Sequence, residues 1–171
     1  MLYVLDTNVL ITARDTYYGF GQVPEFWTWL IHLAKQRRIG VPREALEEIL
    51  EGQPHHGKDP LYAWAHDKVH RAVLDLGEAD FHLVQRVVNQ GYAPDLTEDQ
   101  VAGLRADPFV IAHALADPAQ RCVVSNETPR PSRAPHNRKV PDACAKLGIQ
   151  CVMAPRFIRD MQFSTMWEML A

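Results

Sequence analysis

Apolar residues gather along the chain in two rhythms. Short, mostly apolar runs, Leu2-Tyr3-Val4-Leu5, Ile39-Gly40-Val41, Arg121-Cys122-Val123-Val124-Ser125 and Ile149-Gln150-Cys151-Val152-Met153, have the length and β-branched character of buried strands. Between them, apolar positions recur at helical spacing. Pro24 opens a helix in which Phe26, Trp27, Leu30, Ile31 and Leu33/Ala34 form a wide apolar face. Pro42 precedes a second, with Ala45/Leu46 and Ile49/Leu50 as its stripe and Gly52 as its stop.

The segment GQPHHGKDP breaks the pattern and reads as an exposed loop. Asp59 and Pro60 then launch one continuous helix, LYAWAHDKVHRAVLDL, and EADFHLVQRVVNQ repeats the pattern. Thr97 and Gln100 form a capping-box pair, and Asp107 is expected to cap the helix DPFVIAHALAD. A Pro- and Arg-rich loop follows the third strand, then the helix DACAKLG ending at Gly148, with Asp142 as its expected N-cap. The last strand leads into the helix APRFIRDMQF.

Strands alternating with helices predict an α/β fold, a parallel sheet covered on both faces in three α/β/α layers. A helical insertion spans about residues 59–91. At 171 residues the chain is expected to form a single domain over 1–171.

Composition changes this picture little. A net charge of -3 announces neither a nucleic-acid coat nor an acidic tail, so any basic surface must be local. No apolar stretch reaches the roughly 18 residues of a membrane span, and no leader pattern opens the chain, so a cytoplasmic location is expected. Cys122, Cys144 and Cys151 lack metal-ligand spacing and sit in apolar segments, which predicts reduced, buried thiols. His55-His56 in a Gly/Pro loop lacks the spacing of a helical metal site and reads as surface, while Trp27, Trp29 and Trp64 read as core.

The chemistry lies in the acids. Asp6 directly follows the first strand, Glu48 lies on the helix after the second, Asp107 opens the helix that feeds the third, and Glu127 stands just past the third. In a parallel sheet all strand C-termini point one way, so these carboxylates can converge in one crevice. Clustered carboxylates raise one another's pKa, and a hard divalent cation, Mg²⁺ or Mn²⁺, relieves the repulsion. Such a cation can acidify a water and shield a phosphodiester, which makes phosphodiester hydrolysis the matching chemistry.

These residues carry a resemblance. VLDTNVLI resembles the opening motif of PIN-domain nucleases, which include VapC-type toxins of bacterial toxin–antitoxin pairs, and the match continues in order through EEIL, DPFVIAHAL and VVSNE. The ending VPDACAKLGIQCVMAPRFIRDM is similar to a PIN-like subgroup without an assigned substrate. The resemblance implies a PIN-like fold and a Mg²⁺- or Mn²⁺-dependent endoribonuclease. Asp6, Glu48, Asp107 and Glu127 would be catalytic, and Asp6, Glu48, Asp107 and Asp142 would be at the metal, with Glu44 the alternative to Glu48. It also implies an antitoxin partner and a homodimer. Two departures stand out: Glu replaces Asp at 127, lengthening its reach by a methylene, and the insertion is longer than in compact PIN toxins.

Each residue also has a plainer reading. Asp6, Thr7 and Asn8 could be a hydrogen-bonded turn, Glu48 a solvated helix face among Glu44, Glu47 and Glu51, and Asp142 only an N-cap. Asn8 and Asn126 could orient water or phosphate, or serve only as turn residues. The stretch 128–139 holds Arg130, Arg133, Arg138 and Lys139 with no acid. A basic loop beside an acidic crevice suits RNA phosphates, its alternative being a solubilising surface. Competing functions are a non-catalytic RNA- or partner-binding protein and an Asp-dependent phosphatase or receiver module, although the chain lacks the paired acids that those modules use.

Overall fold

The computed structural model describes residues 1–51 and 59–169. His55 and His56 lie outside the described residues. The four runs form one all-parallel sheet in the order β2-β1-β3-β4, with β1 Leu2–Leu5, β2 Ile39–Gly40, β3 Arg121–Val124 and β4 Cys151–Val152. Helices flank it in a three-layer α/β/α arrangement. The β1–β3 register pairs Leu2 with Arg121 and Leu5 with Val124, and β3–β4 pairs Val124 with Val152. The ladder outlasts the strands by one step: Asp6 N–H donates to Val124 O at 3.0 Å and Ser125 N–H to Val152 O at 3.0 Å. Asp6 and Ser125 therefore leave the sheet side by side.

After β1 the chain turns at once into α1 (Thr7–Thr12), which widens into a π-helical turn over Ala13–Tyr17. The helices α2 (Pro24–Lys35) and α3 (Arg43–Glu51) flank β2, and α8 (Asp107–Leu115) feeds β3. Val4, Leu5, Leu10, Val110, Ile111, Val123 and Val124 are fully enclosed at the centre, and Trp27, Trp29 and Trp64 are buried as expected. Gly40 is required by packing, because a Cβ there would sit 2.2 Å from the Leu76 side chain. Gly148, at φ +69°, ends α9 (Val140–Leu147) in the left-handed conformation that the expected stop demands.

Three expectations need correction. The helix expected to run unbroken from Asp59 is two: α4 (Pro60–His66) and α5 (Lys68–Leu74) meet at Asp67. Asp67 ends the first helix, and its carboxylate accepts from Val69 N–H at 2.8 Å and His70 N–H at 3.0 Å to start the second. Asp107 is the first helical residue of α8 and not its cap, with no side-chain bond to the helix backbone; Ala106 holds the cap position. Nor is Asp142 a cap. It lies in the first turn of α9 behind Lys139 and accepts from the Arg130 amide at 2.6 Å.

The insertion continues through α6 (Phe81–Arg86) into a π-helical turn over Val87–Tyr92, and α7 (Glu98–Gly103) follows it with its expected capping box formed. Cys122 and Cys144 are buried, Cys151 is only half-buried, and all three are free. Burial pushes the Cys122 thiol up to about 11, which makes it a poor nucleophile. Among the described residues no helix is long and apolar enough to cross a membrane.

Because the Asp67 carboxylate caps the start of α5 with two bonds, Asp67→Ala is expected to cost about 1 kcal/mol, with a range of roughly 0.5–2 kcal/mol. Urea unfolding checks it: the midpoint should fall with the m-value unchanged.

Candidate functional site

The parallel register decides who meets whom at the C-terminal rim of the sheet. Leu5 opposite Val124 places Asp6 beside Ser125, and Ser125 Oγ–H donates to Asp6 Oδ2 at 2.8 Å. Asn8, in the first turn of α1, donates its side-chain N–H to the same Asp6 oxygen and to Ser125 Oγ at 3.1 Å. Its Oδ1 accepts from Asn126 N–H at 2.8 Å, and Glu127 N–H donates to Ser125 Oγ at 3.3 Å. This network fixes Asp6 within a wall of strand-end polar groups, where it is 3 % exposed. Thr7, also buried, donates its hydroxyl to Glu48 Oε2 at 2.7 Å and so ties α3 to the same rim.

Asp107 reaches the rim from the start of α8. Freed from capping, its Oδ2 accepts from the Tyr92 hydroxyl at 3.4 Å. Burial, with the Asp107 charge beside it, pushes the Tyr92 phenol far up, so it stays a donor.

Electrostatics reveals the convergence that hydrogen bonds do not. Burial, followed by the charges of Asp6, Glu127 and Glu48, raises the Asp107 carboxyl from 3.8 to about 8. Burial also raises Asp6 to about 6, with Glu127 and Glu48 adding to the rise against the relief from Ser125 and Asn8. Asp6, Glu48, Asp107 and Glu127 thus share one field. Asp142 is not among the charges acting most strongly on either aspartate. Glu44 lies outside the field of the two aspartates: burial raises it, and the acids that add to the rise are Glu47 and Asp75. It lines a crevice with Glu48 and Arg105, and its Oε2 is buried without a hydrogen-bond partner among the described residues.

Two basic residues close the cluster at its edges. Arg105 Nε pairs with Glu48 Oε1 at 2.7 Å, and Lys139 Nζ pairs with Glu127, whose other oxygen accepts from Val140 N–H at 2.8 Å. Arg138, expected at substrate, donates to the Gly91 and Tyr92 carbonyls and so anchors the loop to the π-helical turn that carries Tyr92. Arg130 and Arg133 remain exposed. Sequence reasoning did not assign Ser125, Tyr92 or Arg105 to the site. Ser125 had a signal, since it follows the strand paired with the one that Asp6 follows; Tyr92 and Arg105 come together only through tertiary packing.

The donor set limits the kind of metal that fits. Among the described residues no group of three or more His, Cys, Asp or Glu side chains is arranged to hold an ion directly. Two buried carboxyls raised by burial and by neighbouring acids fit a hard cation that keeps several waters, as Mg²⁺ and Mn²⁺ do, and do not fit a closed cage of protein ligands. Asp6 and Asp107 would be the residues to hold it, with Glu48 and Glu127 adding negative charge around them.

Among known families, the model of a domain of unknown function (DUF4411) matches residues 3–165. A search of curated proteins finds no match to the chain, nor does a search of solved structures.

Raised carboxyls make stability depend on pH. The folded chain retains the Asp6 and Asp107 protons up to about 6 and about 8, while the unfolded chain releases them near 3.8. The folded state then holds more protons through this window, so their contribution is greatest below about pH 4 and is lost as pH rises toward 8. In metal-free buffer Tm is expected to fall across that interval, and Asp107→Asn to remove most of the slope. Scanning calorimetry at constant ionic strength checks both; a flat profile in the wild-type chain would contradict the assignment.

Proposed function

The chain belongs to the DUF4411 family, and from the site at its sheet rim we propose that it is a metal-dependent endoribonuclease of PIN-like kind, acting as the toxin of a toxin–antitoxin pair. The observation that carries this reading is the meeting of Asp6, Glu48, Asp107 and Glu127 at the C-terminal ends of parallel strands, where burial first, and then the charges of the other three acids, raise Asp107 to about 8. Buried carboxyls that repel one another favour whatever brings positive charge into the crevice. A bound Mg²⁺ or Mn²⁺ supplies an acidified water and charge for the phosphodiester.

The chain's own residues do the rest. Ser125 and Asn8 hold the Asp6 carboxylate in one orientation, Tyr92 does so for Asp107, and Thr7 for Glu48. Such fixed donors cost no reorganisation when charge develops in the transition state. Arg130 and Arg133, exposed on the loop that follows Glu127, meet the RNA phosphates. Lys139, on Glu127 at the crevice edge, provides positive charge next to the reacting phosphate. The antitoxin partner and the homodimer rest on the resemblance to PIN-domain toxins.

A second reading has an observation of its own. Arg105 and Lys139 already neutralise Glu48 and Glu127, as in a site that binds RNA or a partner without turnover. Calorimetric titration showing no Mg²⁺ or Mn²⁺ uptake would favour it.

Asp6→Asn separates fold from chemistry. The amide removes a buried charge and keeps an oxygen for Ser125, so metal-free Tm should hold or rise. Mn²⁺-dependent RNA cleavage should fall by about a thousandfold or more, corresponding to roughly 4 kcal/mol of transition-state stabilisation. An unaltered rate refutes the proposal. Arg130→Ala with Arg133→Ala should weaken RNA binding and flatten its salt dependence, by about one unit of slope for each phosphate that the chain no longer neutralises.

A further inference from the structure

Beside the carboxylates lies a cavity of about 260 Å³ that the acidic chemistry does not use. Tyr17, Tyr18, Phe26, Asn126, Pro155 and Ile158 are among the residues that line it, from the π-helical turn after α1, the first turn of α2, the loop beyond β3 and the helix α10 (Ala154–Asp160). Pockets that take a whole drug-sized ligand measure roughly 300–1,000 Å³, so this space suits one ring system of a larger ligand. Its inner aromatic wall is rigid: Tyr18 stacks on Phe26 at 4.2 Å with planes 10° apart, and Phe163 abuts Tyr18 edge-on. At its mouth stands Tyr17, 65 % exposed, with only a tilted contact to Tyr18 at 6.4 Å. A single π-helical turn carries it, a backbone form frequent at functional sites.

One residue joins this cavity to the acids. Asn126 donates its backbone N–H to Asn8, which holds Asp6, and its Oδ1 accepts from Ala154 N–H at 3.2 Å. Its side-chain NH₂ has no partner among the described residues. An open aromatic face, an apolar slot and a spare amide donor are what an unstacked nucleobase requires: stacking for its π face, and a donor for a ring nitrogen or carbonyl. An aliphatic protein side chain would need neither the donor nor the exposed ring. Arg159, exposed on α10 four residues beyond Pro155, stands on the same side of that helix for a neighbouring phosphate.

We propose that this cavity is a base-binding subsite, holding one unstacked base of a single-stranded RNA beside the phosphodiester presented to Asp6 and Asp107. The inference rests on the ribonuclease reading for its ligand, but it concerns binding and not turnover. Tyr17 supplies the stacking face and Asn126 the polar contact, and the pocket makes the chain select exposed, single-stranded positions.

The test is fluorescence anisotropy of the full chain, without divalent metal, against a short oligouridylate and an abasic ribose-phosphate chain of equal length. Wild type should bind oligouridylate more tightly than the abasic chain. Tyr17→Ala should weaken oligouridylate binding by roughly 5- to 150-fold, the range for removal of one base–aromatic stack, and leave abasic binding unchanged. Ile158→Trp, which fills the cavity from its other side, should act in the same direction, with circular dichroism reporting an intact fold. Equal affinity for the two probes, wild-type affinity in both variants, or no RNA binding at all overturns the proposal; a cavity that serves a protein partner would give the second of these. Base-dependent binding without Mn²⁺-dependent cleavage would sink the nuclease reading and leave the subsite standing, whereas cleavage indifferent to both variants would do the reverse.

Discussion

Asp6 is the first residue beyond the central strand and is 3 % exposed, while three other carboxylates act on the same crevice. Taking a carboxylate from water into such a place is unfavourable, and each neighbouring acid makes it more so. The fold tolerates this because the donors that hold Asp6 come from the sheet itself: register puts Ser125 beside it, and α1 brings Asn8 back over it within two residues. Most of the buried polar side chains follow the same logic, since Asp6, Thr7 and Ser125 all belong to this rim. His113 is the exception, a buried imidazole on α8 whose Nε2 has no partner among the described residues and whose pKa is lowered by burial and by Arg121.

The sheet's order makes the crevice. With β1 and β3 central and all strands parallel, the residues following both strands emerge together, and the elements that come next carry Glu127 and the helix start at Asp6. The remaining two acids must come from helices that cross the rim. Glu48 is brought in by the bond from Thr7, and Asp107 by the reversal that ends α7. The helical insertion contributes one residue to the site, Tyr92, and Arg138 ties that segment back to the loop beyond β3.

Much of this was legible in the sequence, and the legible parts share a physical cause. Short apolar runs, Asp59 before Pro60, the Thr97–Gln100 box and Gly148 are local signals, in which a residue's own backbone preference or its neighbours settle the outcome. The parallel sheet followed from alternation alone, and so did the placing of acids at strand ends. The failures are tertiary. Asp67 splits a helix whose apolar spacing runs through it, because its carboxylate serves the second helix better than it would sit inside the first. Asp107 had every local mark of a cap and is not one. Arg138 and Lys139 looked like free basic residues of a loop, yet both are engaged, one with two carbonyls and the other with Glu127. The choice between Glu44 and Glu48 could not be made from helical periodicity, since both lie on the same stripe; Thr7 and the field at Asp107 distinguish them.

The distribution of cations within the cluster follows from the same repulsion. Glu48 and Glu127, at its edges, each have a basic partner, whereas Asp6 and Asp107, at its centre, are held by neutral hydroxyl and amide donors. Neutral donors orient a carboxyl without a compensating positive charge, so the inner pair finds its relief in holding protons, and both pKa values are raised. Arg105 reaches Glu48 from a left-handed backbone position at φ +51°, which costs a non-glycine residue about 1–2 kcal/mol. That cost falls in the very turn, Leu104–Ala106, that delivers Asp107 to the crevice. One strained reversal therefore places a positive charge on the outer acid and sets Asp107, whose carboxyl is raised to about 8 and so keeps its proton at neutral pH, further in. A rim built in this way has its cations on the outer acids, Glu48 and Glu127, and among the described residues none paired with the inner pair.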